Sequence, residues 1–299
     1  MFSILIQDTC IRCGACVAVC PSRVFAQRDS TVVAANPGGC ILCGHCVAVC
    51  PVDAVRHHGF DGQAFPIIPE TTQLDPDALA AFVRARRSVR EFRNKPIAQE
   101  TLEKLLDIAR YAPTASNAQG VRYTVITDAA LLRAISRRVM RWFALAAKLL
   151  RMPGVRLLAR SVLGRQRTEA YLCALPEMLA ASERGKDPIL HNAAALIITY
   201  AHKGNTFGIE DSAYATYQLA LAAHAMGLGT CMIGFLTQIS RFDAVVRRLV
   251  GVPKGRRIAT ALVVGIPVYT YRRMVPRKPP KAQWLNAEEK IPAPGSGQS

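Results

Sequence analysis

Cys10-Ile11-Arg12-Cys13-Gly14-Ala15-Cys16-Val17-Ala18-Val19-Cys20-Pro21 is answered thirty residues later by Cys40-Ile41-Leu42-Cys43-Gly44-His45-Cys46-Val47-Ala48-Val49-Cys50-Pro51. Both stretches spell C-x2-C-x2-C-x3-C-P, the ligand spacing for two [4Fe–4S] clusters. Two intervening residues let successive thiolates wrap one corner of a cubane. Gly14 and Gly44 give the backbone room to turn. Pro21 and Pro51 end each run, because proline cannot donate to a continuing helix or ladder. Disulfides would need an oxidising compartment, and Met1 to Asp8 has neither the basic start nor the long apolar run of a secretory signal. Zinc prefers paired C-x2-C knuckles, which a run of four ending in Cys-Pro fits poorly.

Over residues 1–60 the chain resembles a bacterial-type two-cluster ferredoxin. That resemblance implies that the fourth cysteine of each run serves the opposite cluster. Cys10, Cys13, Cys16 and Cys50 then hold one cluster, and Cys40, Cys43, Cys46 and Cys20 the other. Alternation predicts a strand over 2–7, a hairpin from 24–27 and 31–35, and a strand over 54–57 pairing back near the first. So short a module has little core, and its folding should depend on its clusters. His45 reads as a solvent-facing spacer, and His57 and His58 as surface residues at a strand end.

The 299 residues leave room for a full catalytic domain behind this module. Of the ten cysteines, Cys173 and Cys231 are not ligands. Both lie among apolar neighbours and read as buried, inert thiols. A reduced, cytoplasmic protein is the expectation, and no apolar run is long enough to span a bilayer without charges. The net charge of +17 is uneven: residues 1–70 carry −1, leaving +18 for the rest. Each oxidised cluster with its thiolates adds about two more negative charges. Either the first module docks electrostatically on the second, or the basic surface serves solubility.

Residues 59–73 are rich in Gly, Pro and Thr without period and read as a linker. Asp75 then caps a helix with Pro76 at its first position and Asp77 in its first turn. This helix runs into Arg86-Arg87-Ser88-Val89-Arg90, where guanidinium groups and a hydroxyl suit a phosphate; basic residues also suit a helix C-terminus. A helix over 98–111 leads to Pro113-Thr114-Ala115-Ser116-Asn117-Ala118-Gln119-Gly120 and a strand over 121–127. A buried strand over 192–201 follows later, then a helix opened by Glu210 and Asp211 with period through Tyr214, Tyr217, Leu221 and His224. Gly227 to Phe235, a helix over 241–250 and a strand over 258–264 complete the pattern.

Arg-Arg-Ser-Val-Arg, one helix, Pro-Thr-Ala-Ser-Asn-Ala-Gln and a strand resemble the flavin-binding nitroreductase family. The resemblance implies an α+β domain, homodimeric, with FMN at the dimer interface. It puts Arg86, Ser88 and Arg90 on the phosphate and ribityl tail, Arg87 in main-chain contact, and Asn117 on the isoalloxazine. Gly120 departs from the proline that many members carry. Ile233 and Gly234 would pass backbone groups along the ring, and Arg277, ahead of Arg273 and Lys278, would return to the phosphate.

Together the two resemblances imply a ferredoxin module over 1–62, a linker over 63–74, a nitroreductase-like FMN domain over 75–291 and a tail over 292–299. A variable basic lid is expected at about 129–190. Residues 129–168 hold ten basic side chains and no acidic one, with Val139, Trp142, Phe143, Ala146, Leu149 and Leu150 at helical spacing. A lid or docking face is favoured there over membrane contact or a plain packing helix. No recognition motif for nucleic acid accompanies the charge. Gly227-Leu228-Gly229 follows a helix, so no Rossmann fingerprint is present.

The expected function is an FMN-dependent oxidoreductase: two [4Fe–4S] clusters relay single electrons to FMN, which reduces a small nitro-, quinone- or enone-like acceptor. The external donor is a ferredoxin or NAD(P)H. A non-catalytic carrier or redox sensor, or a relative that remodels a bound flavin, are the alternatives. Glu183, Asp187 and His191 read as a polar surface loop, and no protein general acid is assigned.

Overall fold

The computed structural model describes residues 3–284. Its first module holds β1 (Ile4–Ile6), α1 (Ala15–Val19), β2 (Phe25–Arg28), β3 (Thr31–Ala34), α2 (His45–Ala48) and β4 (Val55–His57). The paired halves match the sequence expectation: β1 runs antiparallel to β4, and β2 to β3. Phe2, the expected first residue of β1, lies outside the described residues. Asp29 and Ser30 both take positive φ, 44° and 61°, the geometry of a two-residue turn matched to strand twist. Ile4, Val24, Phe25, Val32 and Val55 pack with Cys16 and Cys46 in one small core. The linker begins on this module, with Phe65 edge-on to Phe60 at 5.3 Å.

The second part holds α3 (Pro76–Ala85), α4 (Gln99–Ala109), β5 (Arg122–Ile126), α5 (Ala129–Leu150), α6 (Pro153–Leu163), α7 (Arg165–Glu183), β6 (Ala195–His202), α8 (Gly208–Ala225), β7 (Gly229–Met232), α9 (Gly234–Ile239), α10 (Ala244–Leu249) and β8 (Arg256–Gly265). Asp75 caps α3 as expected, accepting from the Ala78 N–H at 2.8 Å. The strands form one antiparallel sheet in the order β5-β6-β8-β7. Successive residues of a strand face opposite sides. Ala195 and Ile197 therefore join α4 and α8 in one core, and Leu196 and Ile198 join α5, α9 and α10 in the other. This is an α+β fold with a sheet covered on both faces.

Three expectations change. The aromatic residues of α8 lie outward: Tyr214 and Tyr217 are exposed, and the buried stripe is Ser212, Ala215, Thr216, Leu219 and Ala223. A helix squeezed between α4 and the sheet takes mostly small side chains, with Leu219 the large member of this stripe. The basic stretch opens as a core helix, because Leu132, Ile135, Val139, Met140 and Phe143 of α5 are buried. The first half of its apolar face is used for packing, whereas Leu149 of the expected stripe is exposed and, with Leu145 and with Leu157, Leu158 and Val162 of α6, leaves apolar surface in this region. Cys173 is exposed, against expectation, whereas Cys231 is buried. Among the described residues no helix is long and apolar enough to cross a membrane.

Asp243 ties α5 to α10. Its carboxylate accepts from Arg138 Nε at 2.7 Å and Trp142 Nε1 at 2.6 Å. It also caps α10 through the Val245 and Val246 N–H groups. The helix expected to start at 241 therefore starts at Ala244.

Candidate functional site: a cysteine module against a strained loop

The two cysteine runs repeat in backbone conformation as well as in sequence. Arg12 and Leu42 have φ of 60° and 55°, Gly14 and Gly44 both 73°, Arg23 and Asp53 both 49°. Holding non-glycine residues in this left-handed region costs about 1–2 kcal/mol each, and the matched turns wrap each chain segment around a cavity. One cavity is lined by Cys10, Cys13, Cys16 and Cys50, and the other by Cys20, Cys40, Cys43 and Cys46. These are the crossed sets that the ferredoxin resemblance implies.

The donor chemistry fits a cubane. Backbone N–H groups of Arg12, Val24, Leu42 and Ala54 donate to the sulfurs of Cys10, Cys20, Cys40 and Cys50 at 3.2–3.4 Å. Such bonds stabilise thiolate. Among the described residues no three ligand-type side chains close on a single ion; the sulfurs ring a space instead. Burial pushes the Cys16 thiol up, and that of Cys46 up to about 11, so ligation there must displace a proton. Cys20→Ala should therefore remove the cluster signal of the Cys40 set, in iron analysis and electron paramagnetic resonance, and leave the other. Loss confined to the Cys10 set would overturn the crossed ligation.

His57 corrects the sequence reading. It is buried at 6% exposure, because Val55 and His57 share the inward face of β4. That alternation was the signal available in the sequence. The Gly59 N–H donates to Nδ1 at 3.0 Å, and Nε2 stands 3.2 Å from Cys40 Sγ. Burial is the main cause of a pKa held below the ordinary 6.5, so the ring is neutral at pH 7. His45 is exposed, as expected.

In the second part, Arg86 to Arg90 lies along the edge of β7. Ser88 bridges Thr230, and the Val89 N–H donates to the Thr230 carbonyl at 2.9 Å. A Cβ on Gly229 would stand 2.8 Å from the Val89 side chain, so glycine permits this approach. Arg86, Ser88 and Arg90 converge near Cys231: burial raises its thiol pKa, opposed by Arg90, a Ser88 hydrogen bond and Arg86. Burial also lowers the pKa of His224, with Arg86 adding to it, and its ring lies 4.8 Å from that of Phe82. The segment thus places the guanidinium groups of Arg86 and Arg90 and the Ser88 hydroxyl near Cys231 at the sheet edge.

The loop after α4 is strained. Ser116, Asn117 and Gln119 take φ of 51°, 53° and 45°. It is fixed by the buried Asp211, which accepts from the Ala115 N–H at 3.0 Å, and by Thr114 Oγ1, which accepts from the Gln119 N–H. Strain of this kind collects at functional loops and is held by surrounding bonds. Asn117 Nδ2 donates to the carbonyls of Ile41 at 3.1 Å and Leu42 at 2.6 Å. Those peptides lie between Cys40 and Cys43. Among the described residues this neutral contact joins the two modules and no ion pair does.

At the end of β7 the Ile233 N–H is committed to the Ala261 carbonyl at 2.8 Å. Gly234 opens α9, so its N–H, orphaned at a helix start, is the donor this loop offers. Phe235 stacks edge-on against Phe143 of α5 at 4.8 Å. Arg277, Arg273 and Lys278 are exposed on an irregular segment, and no hydrogen bond joins them to Arg86–Arg90 among the described residues. Arg87 is half-buried beside Arg86. Asp187 is structural: it accepts from Ser136 Oγ at 2.5 Å and from the N–H groups of Ile189 and Leu190. Residues 285–299, with the expected domain end and tail, lie outside the described residues.

Comparison with known proteins agrees with this division. Residues 83–266 match the profile of the nitroreductase family, and residues 9–54 that of the 4Fe-4S dicluster domain. A relative from Archaeoglobus fulgidus, named for NADH dehydrogenase/NAD(P)H nitroreductase, is 25% identical over 187 residues, 62% of this chain and 83% of its own. Similar solved folds include an iodotyrosine deiodinase bound to FMN and 3-iodo-L-tyrosine (23% identity, TM-score 0.51, 70% of this chain and 99% of that one). Another is an FMN-bound nitroreductase from Desulfitobacterium hafniense (20% identity, TM-score 0.51, 71% and 100%).

Proposed function

This chain belongs to the nitroreductase family and carries a 4Fe-4S ferredoxin-like domain, and from that premise we propose that it is an FMN-dependent oxidoreductase fed with single electrons through two [4Fe–4S] clusters. When bound, the clusters supply one-electron transfer, and FMN supplies the change from one-electron to two-electron chemistry. The acceptor is a small electron-poor compound of nitro, quinone or enone type, and the donor is a reduced ferredoxin or NAD(P)H. The observation that carries this reading is the pair of hydrogen bonds from Asn117 to Ile41 and Leu42. One side chain of the flavin-type loop grips the peptides between two cluster ligands.

The residues divide the work as follows. The Cys10, Cys13, Cys16, Cys50 set and the Cys20, Cys40, Cys43, Cys46 set hold the clusters. Arg86, Ser88 and Arg90 hold the phosphate and ribityl tail, supported by Arg87 and Arg277. Asn117 has both Nδ2 hydrogens committed to the cluster loop, so its Oδ1 is the group left to accept from the ring. The Gly234 N–H orients the ring edge. A second copy of the chain completes the site; exposed Leu79, Val83, Phe207, Tyr214 and Tyr217 support such an interface.

The test is the rate at which dithionite-reduced clusters pass electrons to FMN in anaerobic stopped flow. Each bond of Asn117 is worth about 0.5–1.5 kcal/mol. Asn117→Ala should therefore slow the transfer by about 5–150-fold in protein saturated with FMN and with its iron content retained. An unchanged rate would remove this contact from the path.

A further inference from the structure

The two halves of the cysteine module are matched in cysteine spacing, turn geometry and backbone N–H bonds to sulfur, yet β4 buries a polar side chain where β2 has none buried. β4 aligns with β2 at the thirty-residue offset of the repeat, so Val55 stands where the first half has Phe25, and His57 where it has Gln27. Gln27 is exposed and His57 is buried. The Gly59 N–H occupies Nδ1, so the ring's own hydrogen sits on Nε2 and is donated to Cys40 Sγ at 3.2 Å. Among the described residues no other side chain donates to a ligand sulfur.

We propose that His57 is a positioning residue that sets the order of the two clusters: its Nε2–H bond to Cys40 makes the Cys20, Cys40, Cys43, Cys46 site the higher-potential one. This rests on the two-cluster reading above and deepens it. Reduction adds one negative charge to a site. A hydrogen bond to sulfur favours the state with more negative charge, so it raises the reduction potential. Burial strengthens the bond, since little solvent screens it. The step that is biased moves one electron: the Cys10 site loses it and the Cys40 site gains it, with no bond broken and no proton transferred. The electron comes from a reduced iron–sulfur protein, or from dithionite in the experiment. It is thereby drawn to the site whose loop is held by Asn117.

The experiment is a redox titration of the full-length reconstituted protein with dithionite, followed by electron paramagnetic resonance. The variants are His57→Phe, His57→Asn and His57→Gln. Phenylalanine has no donor. Asparagine keeps an acceptor for the Gly59 N–H but is too short to reach Cys40. Glutamine restores a donor near the place of Nε2. The wild type should show two resolved midpoint potentials. The higher one should shift down in His57→Phe and His57→Asn, with the lower unmoved, and return toward the wild-type value in His57→Gln. Protein labelled with 15N-histidine should show a hyperfine coupling at the higher-potential signal only. If the Phe variant does not take up the second cluster, the Asn and Gln pair decides the matter. Two clusters and FMN present in the wild type, with potentials unchanged in His57→Asn, would overturn the role of His57 alone. A wild type that binds no clusters on reconstitution would overturn the underlying reading as well.

Discussion

Replacing Arg86 and Arg90 together by alanine should strip FMN from the protein and leave the iron–sulfur absorbance in place. Each guanidinium would make charge-assisted hydrogen bonds to the phosphate worth about 1.5–3 kcal/mol. Losing both weakens FMN binding by about 10²–10⁴-fold. The fold should tolerate the change, because Arg90 is exposed, Arg86 is half-buried, and the segment is held to the sheet through main-chain atoms of Val89 and Thr230. Flavin retained on ultrafiltration, read against the cluster absorbance of the same sample, is the measurement. Wild-type FMN affinity in the double variant would remove the phosphate clamp from Arg86 and Arg90.

Asp243→Ala should cost about 3–5 kcal/mol of stability, the range for breaking a buried, hydrogen-bonded ion pair from one side. The substitution leaves the Trp142 N–H and Arg138 without their acceptor and uncaps α10. A lower urea midpoint by circular dichroism checks it; a midpoint within about 0.5 kcal/mol of wild type would overturn it. The pH dependence has a definite sign. Burial would raise the Asp243 pKa, but the Trp142 and Arg138 bonds, with the Val246 and Val245 N–H groups, outweigh it and hold the pKa at about 2, below the ordinary 3.8. The folded form therefore binds a proton less readily than the unfolded chain. The contribution, about 2 kcal/mol, is complete above pH 3.8 and is lost as pH falls through about 2. The alanine variant should lack that acid-dependent component.

Cofactor-related chemistry was readable from the chain because it depends on spacing. Four cysteines at fixed offsets, repeated at thirty residues, define a cluster-binding run whatever surrounds them. The helix start at Asp75, the hairpin of β2 and β3, and the buried strand β6 were equally local, set by capping, turn chemistry and alternation. The face of α8 was harder, because its outward tyrosines carry the more apolar period and its core stripe is mostly alanine, serine and threonine around Leu219. The basic stretch misled for a related reason: charge on one face of α5 says nothing of what the other face meets. Val139 and Phe143 share a core with residues of β6, α9 and α10, which lie far along the chain.

Spacing along the chain made the two cysteine runs and the Arg86–Arg90 and Pro113–Gln119 motifs legible, since each is a pattern of near neighbours. Three matters came from tertiary packing alone: that Asn117 grips the loop between Cys40 and Cys43, that the inward-facing His57 meets Cys40, and that Asp243 locks α5 to α10. Each is a contact between residues 17 to 105 positions apart. Such contacts depend on the packing of whole elements, and no local propensity encodes them.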